Sequence, residues 1–429
     1  MLLPLPIDPF IPQVLETLRA SGALVLVAEP GAGKTTRVPP AIIRSNLLDS
    51  ADQNRPNQKL VMLQPRRVAA RAAAARIADE QKWSLGNEVG YQIRFEKRLT
   101  DATRLRVLTE GILTRQLVAD PFLEGIGCVI LDEFHERSID VDLALAMLRE
   151  IRASVRPDLK LFVMSATLAA ESVSAALGNA PIIRVPGRVF PVTVEQRSPS
   201  SLKLIERVAS EIQSVVESSP DSRDHILVFL PGAEEIRRTE RAIESLHDRF
   251  DLDIFQLHGS LDFEEQQRAL RETGRRRIIL STNIAETSLT IDGVTVVIDS
   301  GLARVPRFDP KRGLDRLELV RISKASAEQR KGRAGRTAPG KCVRLWSSAE
   351  QNAMDDFETP EIQRVDLAPV ILNLRAWGTS DPKKFGWFEP PSNDRIDQAE
   401  KVLAMLGAID GMHGPITPLG KELARLPVH

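Results

Sequence analysis

The stretch Ala23-Leu-Val-Leu-Val-Ala-Glu-Pro-Gly-Ala-Gly-Lys-Thr35 decides the first half of the fold. Its apolar residues 23–28 predict a buried parallel strand, and the glycine-rich turn after them opens a helix. In that geometry the backbone N–H groups of Gly31 to Thr35 converge on one point, where the helix N-terminus adds positive potential. The stretch therefore predicts a phosphate-binding loop, although Ala28 stands where the strict G-x-x-x-x-G-K-[ST] pattern begins with glycine.

The same loop offers side chains for a nucleoside triphosphate. Lys34 would reach the β- and γ-phosphates, and the Thr35 hydroxyl would bind Mg²⁺. We assign nucleotide contact to Ala28, Glu29, Pro30, Gly31, Ala32, Gly33, Lys34, Thr35 and Thr36. The alternative is a glycine-rich turn with an accidental Lys-Thr pair, and the strand before the turn argues against it.

A second polar cluster, Asp132-Glu-Phe-His135, follows the apolar run Cys128–Leu131. Both carboxylates would lie at the carboxyl edge of the sheet, where the phosphate-binding loop also lies. Asp132 could hold Mg²⁺ through water, and Glu133 could orient and deprotonate the attacking water. The predicted metal ligands are Thr35, Asp132 and Glu133. His135 either senses the nucleotide state or contacts the facing domain.

Short apolar runs alternate with helical stretches through most of the chain. The first series predicts strands at 23–28, 59–64, 104–109, 127–132, 160–165 and 182–185; the second predicts them at 225–230, 253–257, 276–281, 294–299 and 341–346. Helices are predicted between them, for example at 67–81 and 138–152. This alternation is typical of parallel, doubly wound sheets. We therefore expect an α/β fold with two consecutive domains, joined by the linker 185–191.

The C-terminal part of the chain carries a different pattern. It predicts helices at 365–377, 394–407 and 418–425, with a turn or wing at 407–414. These features predict a small winged-helix module, and residues 304–322 upstream predict a long β-hairpin. The expected domains are 1–188, 189–352 and 353–429. The stop at His429, directly after a helical segment, indicates a truncated chain that lacks further C-terminal domains.

Composition excludes several classes of protein. Lys plus Arg equals Asp plus Glu at 58 each, so the chain is no general polyanion binder, although a local basic channel remains open. Aromatic residues make up only 4%, which argues against base stacking on aromatic rings as the main binding device. Cys128 and Cys342 lie in apolar runs and are expected to be buried free thiols. Neither a membrane-spanning run nor a basic leader is visible, so we expect a cytoplasmic protein.

Two further motifs follow predicted strands. Ser165-Ala-Thr167 could cap a helix, take part in the chemistry, or do both. The segment Gln329-Arg-Lys-Gly-Arg-Ala-Gly-Arg336 places arginines three apart at the start of a helix. Such arginines could project across a cleft and stabilise charge on a γ-phosphate. The alternatives are a solvated basic face or contacts to nucleic-acid phosphates.

Seven motifs, taken in order, resemble those of the DEAH-box group of superfamily two helicases. They are Ala28–Thr35, Gln64-Pro-Arg-Arg67, Thr109-Glu-Gly111, Asp132-Glu-Phe-His135, Ser165-Ala-Thr167, Thr282-Asn-Ile-Ala-Glu-Thr-Ser-Leu-Thr-Ile-Asp-Gly293 and Gln329–Arg336. Phe134 stands where the name-giving tetrad of the group has alanine. In this, and in residues 414–429, the chain resembles a bacterial branch of the group.

The resemblance implies two RecA-like domains that hold ATP and Mg²⁺ between them, followed by the winged-helix module. The catalytic residues it implies are the base Glu133, the phosphate-binding Lys34, the water-positioning Gln329, and the arginine fingers Arg333 and Arg336. The further nucleotide contacts it implies are Ser288 at the γ-phosphate, Thr290 and Asp292 at the ribose, and Arg76 on the base. Leu270 occupies the place of an expected second aromatic, so base selectivity should be poor.

The resemblance also implies a single RNA strand held by both domains. The implied contacts are Arg66, Arg94 and Thr109 in the first domain and Gly259 and Thr282 in the second. Such contacts go mostly to phosphate and sugar, so we expect weak sequence preference and marked salt dependence. For Arg94, a structural salt bridge is a nearly equal alternative. The hairpin at 304–322 would lie at a duplex junction or be a plain surface feature.

These features support an RNA-dependent ATPase that moves along or remodels RNA and acts as a monomer, with protein partners unknown. A different class of function is an ATP-gated RNA clamp or adaptor that unwinds little. The complete set of catalytic motifs favours the first. A small-molecule kinase with a phosphate-binding loop is the third alternative, and Gln329–Arg336 argues against it.

Overall fold

The computed structural model describes residues 4–29, 31–48, 58–166, 170–187, 190–220, 222–271, 273–286, 291–309 and 312–426. The chain divides into two units. Unit 1 comprises Met1–Gly187, Phe308–Asp315 and Pro360–His429; unit 2 comprises Arg188–Arg307 and Arg316–Thr359. This division differs from the expected domains 1–188, 189–352 and 353–429, which stay a prediction.

The first sheet belongs to unit 1. Its strands are β1 (Ala23–Ala28), β2 (Lys59–Gln64), β3 (Val89–Ile93), β4 (Glu96–Arg98), β5 (Leu105–Thr109), β6 (Ile126–Leu131), β7 (Lys160–Ser165) and β8 (Ile182–Val185). Within the described residues their order is β4-β3-β5-β2-β6-β7-β1-β8. Only the edge strand β4 runs antiparallel to its neighbour. The α/β prediction is confirmed for this unit.

The second sheet belongs to unit 2, and a hairpin follows its fifth strand along the chain. The strands are β9 (Val192–Gln196), β10 (His225–Phe229), β11 (Leu252–Leu257), β12 (Arg276–Ser281), β13 (Val294–Asp299), the hairpin strands β14 (Leu302–Asp309) and β15 (Leu314–Arg321), and β16 (Gly340–Arg344). The sheet has the order β11-β12-β10-β13-β16-β9, and every adjacent pair is parallel. The second parallel sheet and the hairpin are therefore confirmed as well.

Helices connect the strands and form the C-terminal module. They are α1 (Ile11–Ser21), α2 (Lys34–Arg44), α3 (Arg67–Gln81), α4 (Glu110–Ala119), α5 (Ile139–Ser154), α6 (Ala170–Ala176), α7 (Leu204–Ser218), α8 (Ala233–Ile243), α9 (Ser245–Arg249), α10 (Phe263–Leu270), α11 (Lys324–Gly332), α12 (Ser348–Asn352), α13 (Ala368–Trp377), α14 (Asn393–Met405) and α15 (Pro418–Arg425). None of the described helices is long and apolar enough to span a bilayer.

Apolar side chains cover both faces of the first sheet. Leu24 and Leu26 pack with the helices α1 to α3, whereas Val25, on the opposite face, packs with α4 and α5. Strands buried on both faces need continuous apolar sequence, and this explains why β1 was predictable from its composition. In the central strands β1, β2, β6 and β7 the polar side chains are thereby confined to the strand ends.

The C-terminal module shares the core of unit 1. Its helices α13, α14 and α15 confirm the predicted helices, and an isolated bridge between Ile409 and Ile416 forms the predicted wing-like turn. Ile371 and Leu374 on α13 are fully buried in one apolar cluster with residues of α5. The module is therefore fixed to the first sheet by burial of apolar surface.

Three strands were missing from the sequence-based expectation. They are β3, β4 and β9. In β3, Gly90 interrupts the apolar run, and its backbone lies so near β4 that an added Cβ would meet the Arg98 carbonyl oxygen at 2.2 Å. Strand β9, Val-Thr-Val-Glu-Gln, lies at the edge of its sheet and mixes polar with apolar residues. Edge strands lack the continuous apolar signal of central ones.

The two cysteines lie in strands. Cys128 on β6 and Cys342 on β16 are both free and fully buried. Burial raises the pKa of each thiol to about 12. The prediction of two buried free thiols is confirmed.

Candidate active site

The phosphate-binding loop joins β1 to α2 in unit 1. Gly31 and Gly33 have φ angles of +89° and +94°, in the left-handed region that glycine adopts without strain. A Cβ on Gly33 would also lie 2.7 Å from Leu5 Cδ1. The loop therefore needs glycine at this position for both conformation and space. Pro30 lies outside the described residues.

Five polar side chains meet where β1, β2 and β6 end. Lys34 Nζ lies 3.0 Å from Glu133 Oε1. The Thr35 hydroxyl donates to Asp132 Oδ2 at 2.6 Å, and Gln64 Nε2 donates to the same oxygen at 2.6 Å. The predicted phosphate and metal residues of unit 1 thus form one hydrogen-bonded group, because parallel strands bring their carboxyl ends to one edge.

This group is almost completely buried. Lys34 is 3% exposed, Asp132 1% and Glu133 6%. Burial, and then the neighbouring Glu133 charge, raises the pKa of Asp132 to about 6, while Lys34 and Thr35 act in the opposite direction. Two adjacent carboxylates against one lysine leave an excess of negative charge that a divalent cation would neutralise.

The donor set suits Mg²⁺. The hydroxyl of Thr35 and the carboxylates of Asp132 and Glu133 supply only oxygen atoms, the ligand type that Mg²⁺ prefers. A second group of metal-ligating residue types exists on the C-terminal module, where Asp397, Glu400 and His413 lie together. There the carboxylates already pair with lysine and arginine, so we assign no metal to them.

His135 connects the Asp132-Glu133 turn to the end of β7. Its Nδ1 accepts a hydrogen bond from the Ala166 backbone N–H at 3.3 Å and lies 3.5 Å from Glu133 Oε2. An accepting Nδ1 requires the neutral tautomer with its proton on Nε2. Both suggested roles of His135, nucleotide sensing and contact with a facing domain, stay predictions. Thr167 of the Ser165 motif lies outside the described residues.

The other half of the same sheet edge carries the residues predicted to contact RNA in unit 1. Arg66 follows β2, Thr109 ends β5 and Arg94 follows β3, on three adjacent strands. Arg66 Nε pairs with Glu136 at 3.1 Å. The Arg94 guanidinium lies over the Phe95 ring at 4.8 Å, and in the described part of the chain it has no ion pair. The salt-bridge alternative for Arg94 is therefore not observed.

The remaining predicted contacts are more scattered. Arg76, on α3, has a side chain that is 64% exposed and donates to Glu80 at 2.6 Å. In unit 2, Gly259 follows β11 and Thr282 follows the adjacent strand β12, so both lie at the carboxyl edge of the second sheet. Among the described residues other than its chain neighbours, no atom lies within 4 Å of a Cβ built on Gly259, which leaves room for a ligand backbone.

The motif Gln329–Arg336 spans the end of α11 and the 3-10 turn after it. Arg333 is 3% exposed, and its Nε donates to the Glu286 carbonyl oxygen at 3.0 Å. Gln329 and Arg336 are partly exposed. Asp292 is exposed beside β13, whereas Ser288 and Thr290 lie outside the described residues. The roles of these residues stay predictions.

Sequence reasoning missed a buried ion network beneath this motif. Arg330 is 1% exposed and donates to Glu286 Oε2 and Asp299 Oδ1, each at 2.9 Å. Ser326 donates to the other Glu286 oxygen at 2.6 Å. Glu286 therefore holds Arg330 through its side chain and Arg333 through its backbone. The signal available in the sequence was a glutamate inside the Thr282–Gly293 motif, which had no assigned role.

A surface groove of unit 1, about 1000 Å³ in volume, lies elsewhere. Its lining includes Arg149 and Arg152 on α5, Gly178 after α6, and the segment 378–386. None of the nucleotide or RNA residues named above lines it. Charge and hydrogen bonding, rather than cavity size, identify the candidate site.

Three family models match the chain. DEAD/DEAH box helicase matches residues 10–176, Helicase conserved C-terminal domain matches 205–338, and Helicase associated domain (HA2), winged-helix, matches 399–428. The first match contains the phosphate-binding loop and the Asp132-Glu133 turn, and the second contains the whole motif Gln329–Arg336. The winged-helix match agrees with the module predicted at the C-terminus.

Known proteins resemble the chain along nearly its whole length. It is 38% identical to the ATP-dependent RNA helicase HrpB of Escherichia coli over 98% of this chain and 51% of that protein. It is 36% identical to the ATP-dependent RNA helicase HrpA homolog of Haemophilus influenzae over 99% of this chain and 32% of that protein. The chain thus spans about half the length of HrpB and about a third of the HrpA homolog.

Solved structures agree with this likeness. The crystal structure of Escherichia coli DEAH/RHA helicase HrpB matches with a TM-score of 0.90 at 38% identity, over 98% of this chain and 52% of that one. The crystal structure of E. coli DExH-box NTPase HrpB matches with a TM-score of 0.85 at 37% identity, over 99% and 51%. The buried Lys34, Thr35, Asp132 and Glu133 group lies within the matched region of both. By sequence, fold and motif order, the chain belongs to the DEAD/DEAH box helicase family.

Proposed function

We propose that the chain binds ATP with Mg²⁺, hydrolyses it, and uses the cycle to move along or remodel RNA. The observation that carries this proposal is the buried group in which Lys34 pairs with Glu133 and Thr35 pairs with Asp132. It combines a lysine that can bind phosphates, oxygen atoms that can bind a metal, and a carboxylate that can accept a proton from water. The names of the relatives, all RNA helicases, support RNA as the polymer.

Binding of ATP would rearrange the lysine contact. Lys34 Nζ now lies 3.0 Å from Glu133 Oε1. A triphosphate in the loop would offer Lys34 oxygens of greater negative charge, and the lysine would turn to them. The Glu133 carboxylate is then released to accept a proton from the attacking water. Hydrolysis would thus be coupled to occupancy of the phosphate-binding loop.

Mg²⁺ would be held by Thr35 and Asp132, and when bound it would neutralise charge on the phosphate oxygens. The Asp132 carboxylate is oriented for this task before any ligand arrives, because Thr35, Gln64 and the Glu133 backbone N–H all donate to it. Such orientation lowers the cost of reorganisation during the reaction. Glu133, next in the chain, keeps its carboxylate available for water.

Arginines of unit 2 would stabilise charge in the same reaction. Arg333 and Arg336 are the proposed fingers, and Gln329 would orient the water. Arg333 is held by the Glu286 carbonyl oxygen, which favours one side-chain direction. Each finger arginine would contribute a factor of about 10³–10⁵ to the rate.

RNA would lie along the carboxyl edges of the strands that precede Arg66, Arg94, Thr109, Gly259 and Thr282. Phosphate and sugar contacts from these positions would give little sequence preference. We propose that the chain works as a monomer in the cytoplasm. The finer alternative, an RNA clamp gated by ATP, differs in predicting hydrolysis without strand separation.

The test is phosphate release from ATP with poly-U RNA, with single-stranded DNA and without polymer. RNA-stimulated release is expected from the wild-type chain, and its absence would refute the proposed function. Glu133→Gln should reduce kcat by ~10²–10⁴ and leave ATP binding intact, since a positioned base contributes that factor. Glu124→Gln changes an exposed glutamate of the same unit and serves as the matched control. Turnover of Glu133→Gln within tenfold of the wild type would show that another group is the base.

A further inference from the structure

The turn that carries Glu133 has an unusual backbone. Glu133 and Arg137 have φ angles of +52° and +49°, and they flank the 3-10 turn Phe134–Glu136. Both angles lie in the left-handed region that residues with a Cβ rarely adopt. Such conformations persist only where the surrounding structure holds them. The residues that keep the backbone of this turn in place therefore position the proposed catalytic base.

One contact comes from the C-terminal module. The Phe134 ring is 2% exposed and lies edge-to-face against Phe388, with centroids 5.5 Å apart and planes at 76°. This is a favourable arrangement for two aromatic rings. In the related DEAH-box tetrad alanine stands at this position, so a phenyl ring is not required by the chemistry itself. Its structural consequence in this chain is that it reaches Phe388.

Arg137 closes the other end of the turn with two carboxylates and the same ring. Its guanidinium forms two hydrogen bonds of 2.9 Å to Asp142 and one of 2.9 Å to Glu389. It also lies over the Phe388 ring at 4.6 Å, within the range of cation–π attraction. Phe388 is therefore in contact with both ends of the turn.

Glu361 adds backbone contacts from the same module. Its N–H donates to the Arg137 carbonyl oxygen at 3.2 Å, and its side chain accepts from the Ile139 N–H at 2.9 Å. Residues 361–389 thus contact the turn through rings, charges and backbone groups. All of these contacts lie within unit 1.

We propose that Phe388 is a positioning residue for ATP hydrolysis: through Phe134 and Arg137 it fixes the turn that aims Glu133 at the attacking water. The inference rests on the proposed function of the site. When Lys34 turns to the triphosphate, Glu133 loses the ion pair with Lys34, and the backbone of its turn then contributes more to the direction of the carboxylate. A base displaced by even 1 Å loses much of its effect, up to about 10²-fold.

The alternative is that Phe388 only fills space in the apolar core. A filling residue would affect folding and stability, but it would not separate kcat from KM in the folded protein. The decisive readout is therefore kcat for ATP with saturating poly-U, measured beside KM for ATP on variants that remain folded.

The test compares four variants of the full chain. Phe388→Leu keeps an apolar side chain but removes the ring, and we expect kcat to fall about tenfold while KM stays within twofold. Phe388→Tyr keeps the ring and should stay within twofold of the wild type. Phe385→Leu removes a ring that contacts Trp387 in the same segment, and it should leave kcat within twofold. Phe134→Leu should reproduce the loss of Phe388→Leu.

The double variant Phe134→Leu/Phe388→Leu supplies an independent check. Phe388→Leu already breaks the contact with Phe134, so the double variant should lose no more kcat than Phe388→Leu alone, and the double-mutant cycle measures this coupling. Multiplied losses, an unchanged kcat in Phe388→Leu, or an equal loss in Phe385→Leu would overturn the inference. An inactive wild-type chain would instead refute the proposed function, so the two failures are distinguishable.

Discussion

Arg330 carries a charge in a place from which water is excluded. Burial raises the pKa of Asp299, while the Asp299 and Glu286 carboxylates raise that of Arg330, which therefore stays cationic. The guanidinium also lies over the Phe229 ring at 4.8 Å. Its neighbour in sequence, Lys331, is partly exposed and pairs with Glu328. Two consecutive residues of α11 thus differ in role, because Arg330 belongs to a buried ion network and Lys331 to a surface pair.

The contrast between these neighbours gives a stability prediction. Arg330→Met removes one partner of a buried ion network and should lower the free energy of unfolding by about 3–5 kcal/mol. Lys331→Met breaks only a surface pair and should cost no more than about 1 kcal/mol. Urea titrations followed by circular dichroism would measure both. Equal stability of the two variants would mean that the Arg330 network contributes nothing.

At the level of single residues, sequence reasoning named side chains that the structure brings together, but not the residues that support them. Lys34, Thr35, Asp132 and Glu133 belong to short motifs whose spacing reflects local chemistry, and the structure brings them together. Arg330 belongs to such a motif too, but its burial depends on Asp299 in another strand. No short sequence pattern predicts a partner that lies so far away along the chain.

At the level of elements, strand β10 begins with a histidine that is held in its neutral form. His225 Nδ1 accepts a hydrogen bond from the Arg277 backbone N–H at 3.2 Å, which a protonated ring nitrogen would not do. Gly293, with φ of +79°, comes so close that an added Cβ would lie 2.7 Å from the ring. Burial, and then the charge of Arg277, lowers the pKa of His225 to about 4.

The lowered pKa of His225 predicts that unit 2 loses stability in acid. Because the folded pKa of about 4 lies below the ordinary histidine value of 6.5, the unfolded chain binds the proton more tightly between these values. Stability should therefore fall by about 2 kcal/mol as the pH drops from 6.5 to 4, after allowance for partial exposure. His225→Gln should flatten this part of the profile, whereas His247→Gln, at an exposed site on α9, should not. Urea midpoints at pH 7 and pH 5 measure the difference.

Strands with a continuous apolar run were predictable from the sequence. The central strands β1, β2, β6 and β7 were located almost to the residue, since each is a continuous apolar run between helices. The edge strand β9 was missed, because one of its sides needs no apolar partner. The C-terminal helices were predicted from their sequence pattern. Their packing against α4 and α5 was not predicted, because an apolar helix face does not specify which element it packs against.

For the whole molecule, two sets of strands carry different proposed binding residues at the carboxyl edge of the first sheet. Strands β1 and β6 present the proposed ATP residues, and strands β2, β3 and β5 present the proposed RNA residues. Gln64, at the end of β2, bonds to Asp132 at the end of β6 and joins the two sets. The position of Phe388 against this edge was beyond prediction, because it comes from a segment far along the chain.

RNA affinity should depend on salt through the arginines at this edge. Each phosphate contact contributes about −0.7 to the slope of log K against log salt for a single strand. Arg94→Gln should therefore make the slope less steep by about 0.7, whereas Arg98→Gln, an exposed arginine on β4 without a proposed contact, should leave it unchanged. Anisotropy of a labelled oligo-U at several KCl concentrations measures the slope. An unchanged slope in Arg94→Gln would remove that residue from the RNA surface.

The burial of Cys128 and Cys342 has a practical consequence for spectroscopy. Thiols with a pKa of about 12 and no exposed surface react poorly with maleimides. A pair of cysteines introduced on the surface, one in each unit, could thus carry a fluorescent donor and acceptor while the two native thiols stay unlabelled. Energy transfer between the dyes could then follow the motion of the units during turnover, with the native sequence otherwise intact.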